Sequence, residues 1–148
     1  MFQGASYHSI DPKGRVIIPA RFRDVIKASG VDGVMITRMD SCLFAYTHDQ
    51  WRILEKKIHD LPQKSDDTRL FQRLFIGAAH DCRCDAQGRV LIPPFLKQYA
   101  GLEKEIVLVG VPGRFEIWSR EKWDLENERF EEKLNTEKMR DVVTQIGI

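Results

Sequence analysis

Three cysteines in 148 residues are too few to staple a fold, and an odd number cannot all pair, so a reducing compartment and a core-stabilised chain are expected. Long apolar runs are also missing. Nothing approaches the roughly 18 to 20 consecutive apolar residues that cross a bilayer, and Met1-Phe2-Gln3-Gly4 opens no leader of basic then apolar residues. A cytoplasmic protein with no membrane partner is expected. Charge of one sign is scarce too, since a formal net charge of +1 exerts no bulk pull on a polyanion. There is no phosphate loop and no dinucleotide glycine pattern. His8, His48, His59 and His80 fall in separate segments without the serine or carboxylate spacing of a nucleophilic triad. No catalytic residue and no cofactor are therefore expected. His80, Cys82 and Cys84 alternate and would share one face of a strand, imitating a metal site. Zinc takes four protein ligands, or three and a water, and no fourth is near, so small strand side chains are expected there in place of metal.

What the chain does contain is one phrase written twice. Asp11-Pro12-Lys13-Gly14-Arg15-Val16-Ile17-Ile18-Pro19 recurs 74 residues later as Asp85-Ala86-Gln87-Gly88-Arg89-Val90-Leu91-Ile92-Pro93. A second block, Leu43 to Thr47 with Trp51, recurs at an offset of 72 as Phe115 to Ser119 with Trp123. Self-similarity at a fixed spacing makes each copy one folding unit. With 43% hydrophobic and 30% charged residues the whole chain is an ordinary globular protein. Each half alone is marginal, so the halves are expected to share a core or brace each other. Charge is uneven along the chain: residues 1 to 31 carry a net +3, and residues from Glu121 onward a net −3. A basic N-terminal face opposite an acidic C-terminal helix is compatible with nucleic-acid binding.

Turn chemistry divides the chain further. Tyr7 to Ile10 and Arg15 to Ile18 read as a hairpin, with Pro12 at the second turn position and Gly14 where positive φ is convenient. Pro19 opens a short helix to about Ala28. Val34 to Met39 and Leu43 to Tyr46 form a strand pair, and Thr47 caps a helix carrying Trp51, Leu54 and Ile58. Gln63 to Asp67 reads as a linker, followed by a helix capped by Asp67 or Thr68 and bearing Leu70, Phe71, Leu74 and Phe75. The second copy repeats the plan: strand Ala78 to Cys84, turn, strand Arg89 to Ile92, helix to Ala100, a strand pair across Pro112-Gly113, and a helix capped by Ser119. The expected units are 1–62, a linker and connecting helix over 63–77, 78–134, and a polar tail over 135–148 without a clear apolar face. Trp51 and Trp123, each just after a cap, read as packing residues.

Met1-Phe2-x-Gly4, Asp11-x-Lys13-Gly14-Arg15, Ile18-Pro19-x-x-Phe22-Arg23 and a second Asp85-x-x-x-Arg89 with Pro93 closely resemble the MraZ family, bacterial transcriptional regulators of the division and cell wall gene cluster. The resemblance runs from Met1 to about Leu134. It implies an α+β chain with two SpoVT-AbrB-like domains, a tandem swapped-hairpin β-barrel built from two pseudo-symmetric half-barrels with flanking helices. It also implies a nucleoid-associated repressor that binds direct repeats in double-stranded promoter DNA as a ring homo-oligomer of about eight or twelve subunits.

The residues fit that implied role. Lys13 can place a cation on phosphate while Arg15 offers its planar fork to a guanine edge. Asp11 can orient Arg15 across the turn, and Gly14 allows close approach. Arg21 and Arg23 are further candidate phosphate contacts or solvated helix residues. Asp85, Gly88 and Arg89 form the second motif, where Gln87 replaces the lysine and favours a more structural role. Both Asp/Arg pairs also read as plain turn-stabilising ion pairs. Gln3 stands where the family commonly has Arg, and Ile10 where it has Leu; the first removes a possible phosphate contact and the second is a tolerated aliphatic swap. Two other readings are a protein-interaction ring that does not bind DNA, and an AbrB-type antitoxin whose tail folds on a toxin. The low apolar content of 135–148 argues against the latter.

Overall fold

The computed structural model describes residues 1–62 and 65–148. The first copy runs β1 (Gly4–Ser9), β2 (Arg15–Ile17), α1 (Ala20–Ala28), β3 (Gly33–Met39), β4 (Cys42–Tyr46) and α2 (His48–His59). Helix α3 (Asp66–Phe75) leads to the second copy: β5 (His80–Arg83), β6 (Arg89–Leu91), α4 (Pro94–Ala100), β7 (Glu105–Val111), β8 (Arg114–Ser119) and α5 (Arg120–Lys133). A last helix, α6 (Glu137–Gln145), follows. The protein is thus a mixed α+β chain with two copies of one element order.

Six strands form one antiparallel sheet in the order β1-β7-β8-β4-β3-β5, and β2 pairs only with β6. Reading that order from either end gives the same sequence of equivalent strands, so a pseudo-twofold axis passes between β4 and β8. The central register sets Leu43 opposite Ile117, Phe44 opposite Glu116 and Ala45 opposite Phe115. At the edges each copy lends a strand to the other: β1 lies on β7, and β5 on β3.

This corrects the hairpin expected from Tyr7–Ile10 and Arg15–Ile18. The turn itself forms, with Gly14 N–H donating to the Asp11 carbonyl (2.9 Å) and Asp11 N–H to the Arg15 carbonyl (3.1 Å). Its two strands then part and each pairs with the other copy. The reason is burial. Val16 and Val90 point inward and are fully buried, and only a ribbon of β2 against β6 puts both over the shared core.

The sheet is the middle layer. On one face lies a core of Val34, Ile36, Leu43, Ala45, Ile106, Leu108, Phe115 and Ile117, covered by Val16, Ile18, Val90 and Ile92 of the ribbon region and by Phe22, Ile26, Leu96 and Ala100 of α1 and α4. The other face carries Cys42, Phe44, Tyr46 and Trp118 against Trp51, Ile58 and Phe75 of α2 and α3. Every residue of β4 is buried, because alternate side chains serve opposite cores. Three rings join the halves: Phe2, Phe22 and Phe115 have centroids 5.1 to 5.3 Å apart.

Helix ends follow the expected chemistry with one shift. The Thr47 and Ser119 hydroxyls accept from Gln50 N–H (3.2 Å) and Lys122 N–H (3.1 Å). Helix α3 is capped by Ser65, whose hydroxyl accepts from Thr68 N–H, and not by Asp67 or Thr68. The polar run offers several competent caps, and Ser65 is the one placed three residues before a free N–H. Of the expected linker, Gln63 and Lys64 lie outside the described residues, and Asp66 and Asp67 already belong to α3. Trp51 is buried as expected of a packing residue and stacks on Phe75 at 5.8 Å. Trp123 is half-buried beside Trp118 and donates to the Tyr7 hydroxyl (3.2 Å). The stretch read as a polar tail contains α6, started by the Thr136 hydroxyl accepting from Met139 N–H (3.3 Å).

Candidate functional site

The two repeated turns have the same internal wiring. One Asp11 carboxylate oxygen accepts from the backbone N–H groups of Lys13 (3.0 Å) and Arg15 (2.8 Å), and the other accepts from Arg15 Nε (2.5 Å). One Asp85 oxygen accepts from Gln87 N–H (2.9 Å) and Arg89 N–H (2.9 Å), and the other from Arg89 Nε (2.9 Å). Each aspartate therefore ties up the turn and orients an arginine, leaving the terminal guanidinium nitrogens unengaged by it. Gly14 and Gly88 take positive φ, 89° and 76°, where a side chain would be strained.

The turns also hold each other. Ile92 N–H donates to the Gly14 carbonyl and Ile18 N–H to the Gly88 carbonyl, both at 2.9 Å, extending the three-residue β2–β6 register of Arg15 with Leu91, Val16 with Val90 and Ile17 with Arg89. Since strand side chains alternate, the inward position is valine on both strands and the outward ones are Arg15, Ile17, Arg89 and Leu91. The result is a short two-stranded ribbon whose outer face pairs an arginine with an aliphatic residue twice, related by the pseudo-twofold axis. Both arginines are partly exposed, and Lys13 is exposed at the first tip.

Backbone N–H donation from Arg15 and from Arg89 is the leading cause that holds the Asp11 and Asp85 carboxyls below the usual carboxylate range, reinforced by the arginine side chains. Because the folded value is depressed, the stabilisation each gives its turn is complete above the ordinary carboxylate value near 3.8 and disappears as pH falls through the lower folded value. Carbon-detected NMR titration is expected to show Asp11 and Asp85 protonating later, on acidification, than an unstructured aspartate. Titration at the ordinary value would mean that the carboxylate bonds do not persist in solution.

The structure places the other predicted residues unequally. Arg21 donates through Nε to the Gln3 carbonyl (3.4 Å) and lies 5.0 Å from the Phe22 ring centroid. Arg23 pairs with Asp32 (2.8 Å) and reaches the Asp85 carbonyl (3.4 Å), bracketing the second turn from the first copy. That side-chain hydrogen bond lowers the Asp32 pKa and raises that of Arg23. The second copy has Phe95 in place of Arg21 and Lys97 in place of Arg23. Since Arg23 itself lies against the second turn, the cations of the first tip's own turn are Lys13 and Arg15. Sequence reasoning missed the outward Ile17 and Leu91, although the alternation Arg-Val-Ile and Arg-Val-Leu was the available signal.

The remaining features separate from this face. Among the described residues no three His, Cys, Asp or Glu side chains gather as a metal site. Burial pushes the Cys82 thiol up to about 12 and Cys84 to about 11, which keeps both protonated at neutral pH. A cleft of about 900 Å³ between α2 and α3, lined by Arg52, Lys56, Ile58, Gln72, Arg73 and Ile76 among others, shares no residue with the turns. No helix of the described residues is long and apolar enough to cross a membrane.

Fold and site together define a tandem-duplicated α+β protein in which two copies exchange edge strands and present two equivalent Asp/Arg turns. The chain belongs to the MraZ family: the family described as "MraZ protein, putative antitoxin-like" matches it twice, over residues 1–74 and 75–145. It is 55% identical to the "Transcriptional regulator MraZ" of Desulforapulum autotrophicum over 148 residues, covering all of both chains. The protein of that name from Desulfosudis oleivorans is 48% identical, again over the full length of both. That of Natranaerobius thermophilus is 47% identical over 124 residues, 84% of this chain and 85% of the relative.

Proposed function

We propose that this chain is a sequence-specific DNA-binding transcription regulator without catalytic activity, a repressor of the bacterial division and cell wall gene cluster that binds promoter direct repeats as a ring homo-oligomer in the cytoplasm, at the nucleoid. The observation that carries the reading is the ribbon face, where two guanidiniums, each oriented by its own turn aspartate, stand diagonally across one two-stranded ribbon. The relatives' shared description as transcriptional regulators supports it. The exchange of β1 and β5 between copies supports reading each unit, over 1–62 and 78–134, as an AbrB-like half of a swapped-hairpin barrel.

In this mechanism Lys13 neutralises a phosphate and Arg15 reads a guanine edge in the major groove, which admits a two-stranded ribbon. Asp11 fixes the Arg15 rotamer before binding, so less side-chain entropy is lost on contact. Arg89 makes the weaker second contact, lacking a neighbouring lysine. Arg21 and Arg23 serve mainly to brace Gln3 and the second turn, with spare N–H donors available to phosphate. One such tip binds weakly. A ring repeats it at fixed spacing, so that matching direct repeats are engaged through high effective concentration.

The test is a titration of the purified protein against duplex DNA from upstream of its own gene and against random duplex, over a range of salt, with the assembly mass measured in the same buffer. Preferential binding is expected to weaken steeply with salt, by a slope of roughly 0.9 per phosphate neutralised. An assembled ring with no preference for the upstream DNA would overturn the reading.

A further inference from the structure

Exposed aliphatic side chains on a small ribbon between two arginines are costly to leave in water unless something covers them. Ile17 is 51% exposed and Leu91 57% exposed, although their strand neighbours Val16 and Val90 are fully buried. Each stands directly across the ribbon from an arginine, Ile17 from Arg89 and Leu91 from Arg15, and each lies two residues along its own strand from the other arginine. Leu91 leans toward the first tip, its Cδ1 3.8 Å from where a Cβ on Gly14 would stand.

We infer that Ile17 and Leu91 read thymine, by packing on its C5-methyl group in the major groove while Arg15 and Arg89 engage guanine. The inference rests on the DNA-binding reading above and deepens it. The cations commit the occupant: an aliphatic patch bracketed by Arg15, Arg89 and Lys13 is complementary to a polyanion that carries methyl groups, and thymine is the base that presents one on the major-groove edge. The spacing agrees. Two residues along a strand span about 6.6 Å, close to two base steps of about 3.4 Å, so an aliphatic side chain reaches a base pair about two steps from the one its neighbouring arginine reads. The pseudo-twofold axis places the second arginine and aliphatic pair antiparallel to the first, so a single chain spans a short, roughly symmetric group of guanine and thymine positions. Neither side chain fills the core.

The experiment amplifies the DNA upstream of the gene twice, once with dTTP and once with dUTP and uracil-containing primers, which removes every thymine methyl and keeps all base pairs. Wild type is expected to bind the methyl-free DNA about 16-fold more weakly per engaged chain, at about fourfold for each of the two lost methyl contacts. Ile17→Ser and Leu91→Ser together are expected to weaken binding to the thymine DNA and to abolish the difference between the two DNAs. Wild type that prefers the upstream sequence over random DNA but treats both forms alike would overturn this inference alone. A preference that survives in the double variant would also overturn it, since the methyl effect would then act through DNA shape. Failure to prefer the upstream DNA in either form would overturn the DNA-binding reading and this inference with it.

Discussion

Arg15→Ala is expected to bind upstream DNA at least ~100-fold more weakly than wild type at moderate salt, with circular dichroism, unfolding midpoint and assembly mass unchanged. One bidentate arginine to guanine contact is worth about 1 to 3 kcal/mol of discrimination, or roughly 5- to 150-fold. In the proposed ring that contact is lost at every engaged tip, so the losses compound. Stability is largely spared because the Asp11 carboxylate keeps its bonds from the Lys13 and Arg15 backbone N–H groups, and the side-chain pair it loses is partly exposed. Arg89→Ala is expected to cost about tenfold, since the second turn has Gln87 where the first has Lys13 and so lacks that phosphate contact. Filter binding or fluorescence anisotropy over a salt series measures both. Equal affinity of Arg15→Ala and wild type would remove the first tip from the interface. A larger loss in Arg89→Ala than in Arg15→Ala would reverse the proposed ranking of the tips.

The features legible in the sequence were those set by local chemistry and by repetition. Asp-Pro-Lys-Gly announced a turn because proline presets φ and glycine tolerates positive φ, and the turn is present. The repeated Gly-Arg-Val pattern announced two equivalent units, and the strand order is symmetric accordingly. Strand partnership was not legible, because a turn dictates where the chain reverses and not whose N–H groups it then meets. Long-range burial of Val16 against Val90 decided that, and neither valine carries a local mark of its partner. The role of Arg23 was hidden for the same reason. Its partner Asp32 sits beyond α1, and its reach to the Asp85 carbonyl exists only because the two copies interlock. Helix α6 was missed for a different reason: its cap, Thr136, and its spaced Met139, Val142, Val143 and Ile146 were present, but the many charges between them masked the pattern.

The interlocking also governs how the chain unfolds. Phe115 belongs to the second copy, is fully buried, and meets Phe2 from the N-terminus and Phe22 from α1, both of the first copy. Phe115→Ala is expected to lower stability by about 3 to 5 kcal/mol, the cost of a large aromatic-to-alanine cavity where neighbours cannot collapse. They cannot do so here because β8 is fixed on both sides, by β4 and by β7, while Phe2 and Phe22 are anchored to separate elements. Two independent half-domains would confine that loss to the second copy and split the denaturation curve. A shared core instead moves one transition, because the six-stranded sheet takes an edge strand of each copy from the other and neither half keeps its sheet when its partner melts. Urea titration at fixed protein concentration, followed by tryptophan fluorescence and far-ultraviolet circular dichroism, distinguishes the two. Coincident curves shifted together to lower urea are the expected result, with an unchanged slope. A biphasic curve, or a shift of less than about 1 kcal/mol, would show that the three rings do not couple the copies, and the duplicated halves would then have to be treated as separable units.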